Sequence, residues 1–186
     1  MKMSQEEKWN WPRSDISEVM PGECFNRADT DHDGNQHGSV CISRENAITT
    51  HETFVEYLRA SFVLGRTCVQ WSWGQPFWFT VRQTIEIGIK IEIQRETGTW
   101  QHGHKLVALL EVLDEGSMLR SNKPLETFIR RMASYDPAGD EGRYQTTRGG
   151  TPSLVDVCCV EPEKCLFFID ELRKVVMRDY EWPAWD

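Results

Sequence analysis

Residues 84–94 constrain the fold more than any other stretch of this 186-residue chain. Every odd position is isoleucine (Ile85, Ile87, Ile89, Ile91 and Ile93), and the even positions are Glu86, Gly88, Lys90, Glu92 and Gln94. Side chains alternate between the two faces of a strand, so this pattern puts all five isoleucines on one face and the polar residues on the other. β-branched residues also favour the pleated surface. The spacing therefore predicts a long strand, with its isoleucine face toward the core.

Two shorter stretches upstream extend the prediction. In 67–73, Val69, Trp71 and Trp73 alternate with Gln70 and Ser72; Gly74-Gln75-Pro76 supplies turn chemistry; and in 77–82, Phe77, Phe79 and Val81 share a face. An unbroken strand over 77–94 would reach about 60 Å, against roughly 40 Å across a compact domain of this size. The length requires a bend near Arg82–Thr84, and Gly88 offers a second place for curvature.

Helical signals flank this region. Thr49 and Glu52 form a T-x-x-E capping box ahead of Phe54, Leu58 and Phe62, which predicts a helix over 50–64, with Gly65 just past its end. Leu106, Leu109, Leu110 and Leu113 repeat the i, i+3, i+4, i+7 spacing. Leu125, Phe128, Ile129 and Met132 do so after Pro124, and Cys165, Phe168, Ile169, Leu172, Val175 and Val176 follow Pro162. Residues 154–160 read as a short strand. Strands gathered in one run between helices give an α+β fold: a mainly antiparallel, twisted sheet centred on residues 67–94, with helices packed on one face. The expected organisation is a single domain over 1–186. Residues 1–47 form an irregular segment draped on the body, anchored by Trp9 and Trp11, and 136–153, rich in glycine and proline, is a mobile loop.

Charge narrows the partners. With 29 acidic and 21 basic side chains the formal net charge is −8, which disfavours nucleic acid, whose recognition needs clustered Lys and Arg. No apolar run reaches the roughly 20 residues that span a bilayer, and the N-terminal residues lack the apolar core of a signal peptide. No membrane association and a cytoplasmic location are expected. The six cysteines contain no C-x-x-C pair and read as small buried hydrophobes in a reducing compartment.

Three constellations carry possible chemistry. Asp29, Asp31, Asp33 and Asn35 form a D-x-D-x-D-G-N turn, a ligand set suited to Ca²⁺ as the one cofactor the sequence suggests. The EF-hand pattern itself fails, because Val40 stands where the bidentate carboxylate is needed and Pro21 and Gly22 interrupt any entering helix. His102-Gly103-His104 brings two imidazoles to one side of an extended segment, without an identifiable third ligand. Trp71, Trp73 and Trp78, with Glu86 and Glu92 on the polar face of the long strand, would make an acidic, indole-bearing surface for a protein partner. Glu86 and Lys90 lack the E-x-K spacing of strand-borne nuclease sites. No nucleophile elbow, phosphate loop or zinc-protease motif occurs.

Three functions are compatible with these features. The first is a non-catalytic binding protein, of the cytoplasmic inhibitor or immunity type, that meets a basic protein through Trp71, Trp73, Trp78, Glu86 and Glu92. The second is a small enzyme or ligand-binding domain with an aromatic pocket, in which the glutamates of 84–94 or His102 and His104 are the acid–base groups. The third is a calcium-dependent interaction module using the 29–35 turn. The absence of catalytic motifs favours the first, and the oligomeric state is open.

Overall fold

The structure, a computed structural model, describes residues 50–71, 74–139, 146, 150, 152–154 and 160–180, with 68–71 described by backbone alone. The chain divides between Ala47 and Ile48, and every described residue belongs to the second unit. The irregular 1–47 segment and the 29–35 turn lie outside the described residues.

The described body is built from six helices: α1 (Thr50–Trp71), α2 (Gly74–Thr97), α3 (Leu106–Leu110), α4 (Met118–Ser121), α5 (Lys123–Tyr135) and α6 (Pro162–Val176). This corrects the α+β expectation. Among the described residues there is no sheet, and the only β pairing is an isolated antiparallel bridge between Thr146 and Pro152. The residues read as two strands, 77–82 and 84–94, form the continuous helix α2, and 67–71 extend α1.

The reason is the position of α2. It packs between α1 and α6 and also touches α3, so it is covered on nearly every side. Ile85, Ile89 and Ile93 succeed one another at i, i+4 and i+8 on one face. Ile91, on another, is equally buried. A helix buried all round loses the amphipathic period, and isoleucine at every second position is then as compatible with a helix as with a strand.

Two glycines set how closely the three long helices approach. A Cβ on Gly65 would lie 2.8 Å from the Phe77 ring and 2.9 Å from Leu166, and one on Gly88 would lie 2.9 Å from Leu172 and 3.1 Å from Phe54. Gly65 therefore does not end α1, and Gly88 does not curve a strand. Each is a contact point between helices, at a cost of about 1 kcal/mol in helix propensity relative to alanine. The same contacts fix direction. Gly65 meets Phe77, Ser61 Oγ lies 3.2 Å from Thr84 Oγ1, and Phe54 faces Gly88, so α1 and α2 are antiparallel. α6 meets α2 in ascending order, Leu172 at Gly88 and then Val176 at Arg95, and runs parallel to it.

The remaining helices begin as their sequences dictate. Asn122 caps α5 by accepting from the Leu125 N–H, and Pro124 occupies its first turn. Pro162 opens α6. Phe128 of α5 stacks on Phe168 of α6, with centroids 4.5 Å apart. No helix among the described residues is long and apolar enough to cross a membrane.

Candidate functional site

The polar residues of α2 that were expected on an open sheet face are inside. Arg82, Glu86 and Lys90 recur at every fourth position and so occupy one stripe of the helix. The Arg82 side chain is 0% exposed. A buried charge is tolerated only when paired and hydrogen-bonded, and each of these is. Glu86 accepts from Arg82 Nη1 at 2.8 Å, from Lys90 Nζ at 2.8 Å and from His104 Nδ1 at 2.9 Å. Arg82 Nη2 donates to the carbonyl of His104. Arg82 Nε lies 3.2 Å from Asp136 Oδ2, a charge contact without hydrogen-bond alignment. Lys90 Nζ also sits 5.8 Å from the Trp100 ring centroid, a cation–π distance.

Burial pushes the Glu86 carboxyl up, but hydrogen bonds from Lys90, Arg82 and His104 outweigh it and hold the group below the ordinary value of 4.5. Glu86 is therefore ionised at neutral pH, and in its contact with His104 the Nδ1–H donates to the carboxylate. The His104 side chain is 62% exposed, and its Nε2 has no hydrogen-bond partner among the described residues.

Beside this network lies an open groove of about 510 Å³. Gln101, His102, Gly103, His104 and Lys105 line it from the segment before α3. Ala108, Leu109 and Val112 of α3 and its following turn contribute an apolar floor, and Ala138 comes from the segment after α5. None of these nine residues is acidic. Gln101, His102 and Lys105 engage their side chains in no hydrogen bond or ion pair among the described residues.

A second buried carboxylate, Glu92, sits six residues further along α2. Glu92, 0% exposed, accepts from Arg178 Nη1 at 2.7 Å and from Arg95 Nη1. Arg95 Nη2 also donates to the Val176 carbonyl at 2.7 Å, and Arg178 Nη1 to the Val175 carbonyl at 2.7 Å. This cluster holds the end of α6 against α2. The His51 ring lies close by, 4.7 Å from the Tyr180 ring.

Of the residues expected to form an acidic, indole-bearing surface, Trp78, Glu86 and Glu92 are buried. Trp78 packs edge-on to Tyr135 at 6.3 Å. The Trp71 side chain and all of Trp73 lie outside the described residues, as do Asp29, Asp31, Asp33 and Asn35. Within the described residues no three His, Cys, Asp or Glu side chains gather as a metal site. Cys165 is buried and not in a disulfide. His102 and His104 do share the groove, while Arg82, Asp136 and Lys105 were not singled out from sequence. The signal for Arg82 was its spacing of four from Glu86, and of Glu86 from Lys90. Asp136 carried none, because only the tertiary fold brings it to Arg82.

No family model matches the chain, and neither a curated protein nor a solved structure does so.

Proposed function

We propose that the described body is a binding module whose groove takes a small anionic ligand. The observation that carries this reading is the lining. On a chain of net charge −8, the groove gathers Lys105, His102, His104 and Gln101 with no carboxylate among its described lining residues. Within a Debye length of about 10 Å the local sign of charge outweighs the net charge of the molecule. His104 is held in place through Nδ1 by Glu86, and the cation among the groove's described residues is Lys105. Ala108, Leu109 and Val112 supply apolar area beneath an organic ligand.

Binding is favoured over acid–base catalysis because Glu86 has no spare capacity. Its oxygens accept from Arg82, Lys90 and His104, and its lowered carboxyl is a weak proton acceptor. The acidic charge of the chain also suits a basic protein partner, but with Trp78, Glu86 and Glu92 inside that reading rests on net charge and on Trp71 and Trp73, whose side chains lie outside the described residues.

Calorimetric titration at low salt with inorganic phosphate, pyrophosphate and citrate tests the groove. Saturable binding to at least one is expected, weakened by added salt. Lys105→Ala should weaken it about tenfold, equivalent to one charge-assisted hydrogen bond of ~1.5 kcal/mol. Comparing the phosphates with citrate separates phosphate from carboxylate ligands. No saturable binding to any of the three removes the reading.

A further inference from the structure

We infer that Arg82 is the positioning residue of this groove: one buried guanidinium ties together the two chain segments that line it. The inference rests on the binding reading above for its consequence and on geometry alone for its mechanism.

Arg82 divides its donors between the two segments. Nη2 donates to the carbonyl of His104, in the 101–105 segment, and Nε faces Asp136, at the start of the segment that carries Ala138. Nη1 is spent on Glu86, which in turn holds the His104 ring. His104 is thus fixed twice, through its carbonyl by Arg82 and through its imidazole by Glu86. Across from it, Asp136 Oδ1 accepts from the Gly139 N–H at 2.8 Å, which closes residues 136–139 into a turn over the guanidinium. Gly139 has φ +81°, and a Cβ there would come within 2.4 Å of Arg82 Nη2 and 2.5 Å of its Cζ. Only glycine combines that backbone angle with that approach. Ala138 stands between Asp136, which faces Arg82, and Gly139, which Asp136 holds, so its position relative to His104 depends on the Arg82 side chain.

Lysine cannot replace this group. An ammonium is a point donor on a flexible stem, whereas the guanidinium presents a planar fork that can serve three directions at once. A purely stabilising ion pair would make a different prediction from a strut. Losing it would loosen the body as a whole, while losing a strut would free two segments distant in sequence and leave the rest protected.

NMR order parameters and amide hydrogen exchange on the full, ligand-free chain separate the two. In Arg82→Lys and in Asp136→Asn, NMR backbone order parameters should fall in 101–105 and exchange at the Gly139 amide should speed up by about tenfold or more, while amides of α6 keep their protection. Pyrophosphate, the probe ligand, should bind about tenfold more weakly to both variants. Gly139→Ala, which must displace the guanidinium, should reproduce both effects. Asp136→Asn leaves Glu86 and its three donors in place, so it carries the test if Arg82→Lys does not fold. Loosening confined to one of the two segments, or faster exchange spread over α1, α2 and α6 together, overturns the inference. Unchanged order parameters and exchange in folded variants do so as well. If the unmodified chain binds no pyrophosphate, the binding reading fails alone, and the pattern of loosening still decides whether Arg82 is the strut.

Discussion

The middle of α2 and its C-terminal part use one device for different purposes. At each, a buried glutamate is surrounded by cations: Glu86 by Arg82 and Lys90, with a further hydrogen bond from His104, and Glu92 by Arg95 and Arg178. The Glu92 cluster draws its cations from partly exposed side chains, 23% for Arg95 and 26% for Arg178, and spends their remaining donors on the Val175 and Val176 carbonyls. It satisfies the C-terminal end of α6, whose last carbonyls lack intrahelical partners. The Glu86 cluster draws on a wholly enclosed arginine and spends its remaining donors on two loops that line a groove. A helix end staples the chain, whereas two loops define a site. The same ion-pair chemistry acquires a functional role only through what its leftover donors reach.

That contrast makes the Arg82 cluster the more costly to break. Arg82→Met removes the Arg82 contact from enclosed Asp136 and one donor from Glu86. Removing one partner of a buried pair typically costs about 3–5 kcal/mol. Glu92→Gln should cost about 1–2 kcal/mol, because the amide oxygen still accepts and both arginines can turn to solvent. Urea denaturation of the two variants measures the difference. Equal losses would show that Arg82 is no more enclosed in solution than the cations around Glu92.

Acid offers a graded version of the same comparison. The Glu86 carboxyl is held below 4.5 in the folded chain, despite burial, by Lys90, Arg82 and His104. A depressed carboxyl contributes stability that is fully present above the unfolded value and is lost as pH falls through the folded one. Denaturant stability should therefore decline below about pH 4.5, and in Glu86→Gln the decline should be shallower. An identical acid slope in both proteins would remove Glu86 as its source.

Much of the body was legible in the sequence wherever a helix keeps one face in water. Leu125, Phe128, Ile129 and Met132 predicted α5, and the stripe from Cys165 to Val176 predicted α6, with the helix beginning at Pro162 as expected. α1 starts at Thr50 but runs past Gly65, because that glycine admits Phe77 and Leu166 rather than ending a helix. α2 was misread for a physical reason. Its isoleucines occupy more than one face, all covered by neighbours, so periodicity in hydrophobicity carries no helical signal. The register survives in charge instead, in Arg82, Glu86 and Lys90 at intervals of four. Buried ion pairs and apolar residues are interchangeable to the core only when the pairs close, and closure depends on His104 and Asp136, which local sequence cannot supply. The paired histidines could be singled out in advance; the groove they line could not.

The smallest expected effect tests the C-terminal part of α2. Burial lowers the pKa of His51 from 6.5, the Arg95 charge lowers it further, and Glu92 opposes both. The ring packs against Tyr180, and its Nε2 is buried without a hydrogen-bond partner among the described residues. A histidine whose folded pKa is depressed takes up its proton more readily in the unfolded chain, so the stability of the folded form falls as pH drops below about 6.5. His51→Gln should remove that part of the pH dependence between neutral pH and the onset of the Glu86 effect. Because Glu92 raises the His51 pKa, Glu92→Gln should steepen the fall. That coupling places His51 with the cluster that holds α6 to α2. In Arg82→Lys, ten residues back along the helix from Glu92, the dependence between neutral pH and the Glu86 window should be unchanged, and a change there would mean that the two clusters of α2 do not act independently.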